Sequence, residues 1–430
     1  MTTVSTPVTS PVTYRTPLTS AGNPAFGHAR ALVCRACGAE QQLGPFYACQ
    51  ECFGPLEVGY DFPTVTREHI AAGPPNIWRY RALLPVRDDI ATIPNTEPGG
   101  TRLIKADNLA RELGLRSLWV KDDSGNPTHS FKDRVVAVAL AAARELGLNV
   151  LACPSTGNLA NAVASAAARA GIKSVVFIPE NLERPKVLTT AVYGGTLVAV
   201  RGTYDDVNRL ASEIAGEEPD WAFVNVNVRP YYAEGSKTLA YEVAEQLGWR
   251  LPEQVVIPVA SGSQLTKVDK GFTELGRLDL VEPTPYAIFG AQAEGCSPVA
   301  AAFRDGHDVV RPVKPDTIAK SLAIGNPADG PYVLDAVRRT GGAVESVTDE
   351  EIRDGIQLLA RTEGVFAETA GGVTVATLKK LVEAGRLDPD LETVVFNTGD
   401  GLKTLDAIAD RVGPAATIDP SYAAFRATGL

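Results

Sequence analysis

From Val120 onward, short apolar runs of strand length are separated by longer stretches of helical period, the pattern of parallel βαβ units. Residues 117–121 read as a short strand, and 135–146, rich in Ala, Val and Leu, as a helix. The segment between them is Ser124-Gly125-Asn126-Pro127-Thr128-His129-Ser130-Phe131-Lys132-Asp133-Arg134. Gly125 and Pro127 punctuate it as a polar turn, and Lys132 opens the helix. Strands are then expected at 149–153, 174–178, 196–200 and 221–224, with helices at 157–170, 183–192 and 205–215. Together these make a compact α/β segment. Beyond it, 239–247 reads as a helix, and 255–259 and 393–397 as buried strands. No internal repeat or long low-complexity tract interrupts the folded region.

This pattern puts reactive residues at strand ends, where open α/β sheets place their ligand crevice. A desolvated lysine there can form a Schiff base with an aldehyde cofactor, although a solvated surface charge is the commoner role of a single lysine. After 149–153 comes Pro154-Ser155-Thr156-Gly157-Asn158, a helix start whose N–H groups and hydroxyls suit a carboxylate. Simple N-capping by Ser155 or Thr156 is the competing explanation. After 255–259, the small residues of Ala260-Ser261-Gly262-Ser263-Gln264-Leu265 let several backbone amides converge on one anion, as in many α/β turns. After 393–397, Thr398-Gly399-Asp400-Gly401-Leu402-Lys403 reads as a ligand loop or as a Gly-rich turn closing the sheet.

The six cysteines fall as four plus two. Cys34-x-x-Cys37 and Cys49-x-x-Cys52 are paired knuckles eleven residues apart, with Gly38 and Gly54 beside them for tight turns. Four thiolates so spaced suit a closed, structural zinc site. Disulfides and a redox C-x-x-C are the alternatives, the first disfavoured in a reducing compartment and the second lacking a βαβ context. Glu40, Glu51, Glu57 and Asp61 surround the knuckles, which argues against nucleic-acid binding by this ribbon.

The bulk numbers change the picture little. The 430 residues suit two or three domains, and 45% hydrophobic with 21% charged residues is ordinary for a soluble globular chain. A net charge of −10 and a pI near 5.1 argue against a nucleic-acid groove or an anionic membrane surface. The Thr/Ser/Pro-rich start lacks the basic and apolar regions of a signal peptide, and no apolar run is long enough to span a bilayer. A cytoplasmic protein is expected.

The Ser124–Arg134 word closely resembles the lysine segment of fold-type II pyridoxal-phosphate (PLP) enzymes and, within them, of threonine synthases. Arg229-Pro-Tyr-Tyr-Ala-Glu234-Gly235-Ser236-Lys237-Thr238 is similar to that family's Glu-Gly-(Gln/Ser)-Lys-Thr segment. Arg79-Tyr80 resembles its entry segment, and Ile324-Gly325-Asn326-Pro327 also fits. The ribbon resembles one borne by a branch that includes archaeal members. The resemblance spans roughly residues 26–410. It implies a tryptophan synthase β-like α/β fold of two open domains with an N-terminal four-cysteine zinc ribbon. The implied division is a flexible tail at 1–25, the ribbon at 26–60, and a large PLP-binding domain at 61–148 and 226–415. A small mobile α/β domain takes 149–225, and a C-terminal tail 416–430.

By the same resemblance Lys132 is the catalytic residue that holds PLP. Ser155, Thr156 and Gly157 take the substrate carboxylate, with Asn158 beside the cofactor's 3′ oxygen. Ser261, Gly262, Ser263, Gln264 and Leu265 cup the cofactor phosphate, and the Thr398 hydroxyl meets the pyridine nitrogen. The implied reaction converts O-phospho-L-homoserine and water into L-threonine and phosphate. Lys186, Asn227, Arg229, Lys320 and Ser321 are candidate donors to the substrate phosphate. The sequence departs from the family at Thr101-Arg102-Leu103, at Asn225-Val-Asn227-Val-Arg229, and at Phe366-Ala-Glu368-Thr-Ala370. Other readings are a cysteate synthase acting on O-phospho-L-serine and sulfite, a threonine or serine dehydratase, and a ribbon-bearing binding protein with a degenerate PLP site. The expected partner is a small phosphorylated amino acid, with no nucleic acid or membrane, and the expected assembly is a homodimer.

Overall fold

The computed structural model describes residues 24–430 except Ile90, Thr92, Asn95, Thr156, Glu183 and Thr203. The expectation of a flexible tail falls almost wholly outside the described residues; Pro24–Phe26 is a short 3-10 turn. The chain forms two compact units. One contains the residues up to Gly100 together with Lys132–Tyr241 and Glu274–Leu280, and the other contains Thr101–Phe131, Glu242–Thr273 and Val281–Leu430.

The second unit is built on a six-stranded sheet. Its order is Ala343–Val347, Ala287–Ala293, Gln254–Pro258, Glu392–Asn397, Ser117–Asp122 and Arg102–Lys105. All neighbours are parallel except the last edge strand. The central strands Gln254–Pro258 and Glu392–Asn397 are buried at every residue, which is why they read as continuous apolar runs rather than as alternation. Val120, Val256, Phe289, Leu359 and Leu378 belong to its apolar core.

The first unit carries a four-stranded parallel sheet, ordered Thr196–Val200, Lys173–Pro179, Val150–Pro154 and Trp221–Phe223. Each strand ends within a residue of its expected place. The same unit holds a three-stranded antiparallel ribbon, with Ala29–Cys34 between Glu40–Gln41 and Leu56–Tyr60.

Its best-packed feature is the helix Lys132–Glu145, in which eleven consecutive residues from Asp133 to Ala143 are buried. The first turn of this lysine helix lies against Gly235, where an added Cβ would sit 2.6 Å from the Arg134 carbonyl oxygen and from the Val135 Cα. Arg134 is fully buried and donates from Nη1 to the Thr238 hydroxyl at 3.1 Å. Between the short helix Arg229–Glu234 and the helix Lys237–Gln246 lies a buried ion cluster. Lys237 Nζ is 2.7 Å from Glu234, 3.0 Å from Glu274 and 2.9 Å from the Leu83 carbonyl. Tyr60 donates to Glu234 at 2.7 Å, and Tyr241 donates to Glu274. Burial first, and then these carboxylates, push both phenols well above their ordinary range, so they stay neutral donors.

Gly235→Ala should therefore lower stability by about 1–3 kcal/mol, because backbone rather than a flexible side chain must move. Denaturant unfolding of the two proteins measures it.

Candidate active site

Lys132 is the first residue of its helix and half-buried, and its Nζ donates to the Tyr232 hydroxyl at 3.1 Å. Tyr232 is itself buried. In the same unit, the helix Asn158–Ala170 starts just past the carboxyl end of Val150–Pro154. Its N-cap is Gly157, whose lack of a side chain leaves the helix end without a capping bond. The Ser155 hydroxyl accepts only a long 3.4 Å bond from the Gly157 N–H. The capping alternative is thus not realised among the described residues, and a helix end of this kind suits an anion. Thr156 lies outside the described residues.

The second unit holds the other expected binding residues. The loop just before Lys132 is fastened to the turn after Glu392–Asn397: the Phe131 N–H donates to the Thr398 carbonyl at 3.0 Å, and the Asp400 N–H to the His129 carbonyl at 3.1 Å. Thr398 is buried and its hydroxyl donates to Glu368 at 3.2 Å. Asn397 donates to Asp122 at 2.9 Å, which ties this turn to the strand preceding the lysine segment. Beyond Gln254–Pro258, Gly262 adopts φ +95° just before the helix Ser263–Arg277, whose first N–H groups, as in any helix, have no partner within the helix. The Gln264 amide nitrogen at this helix start is buried without a hydrogen-bond partner. An orphaned donor beside a helix N-terminus fits a phosphate, and the Ser261–Leu265 segment fits the phosphate of PLP.

The Asn227 amide is partly engaged with the chain itself: Oδ1 accepts from the Phe223 N–H and Nδ2 donates to the Trp221 carbonyl, each at 2.9 Å. Lys186 and Arg229 are half-buried in the first unit, whereas Lys320 and Ser321 are exposed in a 3-10 turn of the second. The sequence pattern did not single out Tyr232 or Glu368. The doubled tyrosine and the altered Phe366–Ala370 word were the visible traces of each.

The four cysteine sulfurs of the knuckles lie within 4.8 Å of one another, with Cys34–Cys52 at 3.4 Å and Cys37–Cys49 at 3.8 Å. A tetrahedron with zinc–sulfur bonds of about 2.3 Å has edges of roughly 3.8 Å, so the cluster is consistent with a structural zinc site. Backbone N–H groups of Ala36, Cys37, Glu51 and Gly54 donate to the Cys34, Cys49 and Cys52 sulfurs. Burial alone would push the Cys34 thiol up, but the N–H groups of Cys37 and Ala36 and the Cys52 thiol hold it at about 7, whereas Cys52, despite the Gly54 N–H, is pushed up to about 12 by the neighbouring Cys37 and Cys34 thiols. Cys153 and Cys296 are buried away from this cluster.

Residues 95–399 match the family model described as pyridoxal-phosphate dependent enzyme, which defines the class. The chain is 38% identical to the threonine synthase of Methanocaldococcus jannaschii, over 87% of this chain and 93% of that protein. It is 37% identical to the threonine synthase of Methanosarcina acetivorans, over 92% of this chain and 97% of that protein. It belongs to the threonine synthase family of PLP-dependent enzymes. The fold is the mixed α/β fold-type II architecture. A solved threonine deaminase from Solanum lycopersicum shares it at a TM-score of 0.61 with 20% identity, covering 73% of this chain and 88% of that one. Among the described residues, no helix is long and apolar enough to cross a membrane.

The purified protein should carry about one zinc per chain, and replacing Cys34 and Cys52 with Ser should remove it. Elemental analysis beside thermal unfolding checks both content and the accompanying loss of stability.

Proposed function

We propose that this protein is a threonine synthase that converts O-phospho-L-homoserine and water into L-threonine and phosphate, with Lys132 as its catalytic residue. The observation that carries this reading is the identity with threonine synthases over nearly the whole chain. The local geometry supports it: an amine held by a buried phenol, a helix in the same unit whose N-cap is a glycine, and an orphaned donor at a second helix start. Bound to Lys132, PLP supplies an electron sink for the pair left when a substrate C–H bond breaks.

The chain's own residues do the rest. Ser155, Thr156 and Gly157 orient the substrate carboxylate at the start of their helix, with Asn158 beside the cofactor's 3′ oxygen. Ser261, Gly262, Ser263, Gln264 and Leu265 take the cofactor phosphate, and Thr398 meets the ring nitrogen. Once the substrate amine has displaced it, the Lys132 amine is a tethered base and acid. It removes protons at Cα and Cβ and returns one at Cγ after phosphate has left; once water has added its hydroxyl at Cβ and given up a proton, the amine returns a proton to Cα to leave threonine. Lys186, Arg229, Lys320 and Ser321 remain the donors assigned to the substrate phosphate. Asn227, whose Nδ2 keeps a second hydrogen while it closes the strand end Trp221–Phe223, stays among them. The reading also takes 149–225 as a small mobile domain beside a large one at 61–148 and 226–415, and the protein as a cytoplasmic homodimer; the resemblance supports these parts.

With O-phospho-L-homoserine, phosphate and L-threonine should appear in equal amounts, and Lys132→Ala should lose turnover by about a thousandfold or more. Turnover confined to O-phospho-L-serine with sulfite would make the protein a cysteate synthase instead. Ammonia released from L-threonine alone would make it a dehydratase.

A further inference from the structure

We infer that the four-cysteine ribbon positions the catalytic amine, acting through the helix Arg229–Glu234 and Tyr232; the inference rests on the reading of Lys132 as the residue that holds the cofactor. The helix has six residues, too few to be stable by itself, so its place is set by what grips it. Two of its residues, Tyr231 and Glu234, are three apart and share a face. Both are held by the ribbon. The Tyr231 hydroxyl accepts from the Gly44 N–H at 2.8 Å and is 3.2 Å from the Gly44 carbonyl. Its ring stacks on Phe26 at 5.3 Å. Glu234 accepts from Tyr60 at 2.7 Å.

Each anchor depends on the knuckles. Gly44 lies in the loop between Cys37 and Cys49, and Tyr60 ends the strand Leu56–Tyr60 that leaves the second knuckle. Tyr232 is one residue on from Tyr231, about 100° round the helix, and this rotation carries its hydroxyl to Lys132 Nζ. The chain of contacts is therefore short: cysteine knuckles, Gly44 and Tyr60, one turn of helix, Tyr232, amine. The Glu-Gly-Ser-Lys-Thr word belongs to this linkage. Glu234 holds the ribbon, Gly235 admits the lysine helix, Lys237 neutralises Glu234, and Thr238 fixes Arg134. Tyr232 touches the reacting amine; Tyr60, Tyr231 and Glu234 are positioning residues that act through it.

A double-mutant cycle on the full-length chain tests this. The readout is the rate and pH profile with which the cofactor-free protein captures PLP on Lys132, trapped by borohydride and counted by mass. Tyr232→Phe should slow capture on the order of tenfold. Tyr60→Phe should slow it several-fold and shift the pH profile the same way, and the double variant should be no slower than Tyr232→Phe alone. Removing zinc with a chelator should reproduce the Tyr232→Phe profile. Multiplicative losses in the double variant, or unchanged capture after zinc removal, would overturn the linkage. Should Tyr60→Phe lose its fold by circular dichroism, Tyr231→Phe replaces it in the cycle with the same expectations. A wild-type chain that captures no PLP on Lys132 overturns the assignment of that lysine, whereas normal capture with an additive cycle overturns only the role given to the ribbon.

Discussion

The arrangement around Lys132 depends on one buried charge. Lys237 has no exposed surface, and its ammonium sits between two carboxylates and a carbonyl oxygen, with the Tyr60 ring 4.1 Å away. Such a cluster adds little stability when complete, but removing the ammonium leaves both carboxylates without it, at a cost of several kcal/mol. It ties together the ribbon strand that brings Tyr60, the helix that brings Glu234 and the helix end that brings Glu274. Gly235 sits two residues before Lys237, so the same constraint sets the approach of the lysine helix.

The cluster also clarifies which lysine can do chemistry. Lys121 and Lys237 are both more deeply buried than Lys132, and burial alone would make either a candidate for an activated amine. Lys121 is held by Glu242 at 2.7 Å, the Thr101 carbonyl at 2.8 Å and Gln246 at 3.0 Å. Drawing either amine out of its pair leaves a carboxylate uncompensated. Lys132 is only half-buried, and its Nζ donates to the Tyr232 phenol.

Much of this was legible in the sequence, and what was not has physical reasons. The strands of the four-stranded sheet are short, largely apolar runs, and their places follow from period and length. The helix Thr369–Glu383 escaped because it is buried almost all round, so no polar face marks its turns. The preceding helix, Asp349–Glu363, did carry a readable signal: Thr348 and Glu351 form a capping box. The place of Lys132 at a helix start is legible because turn, lysine and helix are contiguous in the chain. The bonds of Asn227 are not, because an asparagine that closes its own strand end has the same one-letter signature as one that does not. Tyr231 and Tyr232 make the point most sharply. They are adjacent and identical, yet one belongs to the ribbon and the other to the lysine, and only the helical rotation between them decides which.

The measurement that tests this account most directly is peptide mapping of the PLP-loaded protein after borohydride reduction. The account predicts that the added cofactor mass lies on the peptide containing Lys132 and on no other lysine. Label on Lys121 or Lys237, or cofactor that washes away unreduced, would contradict it.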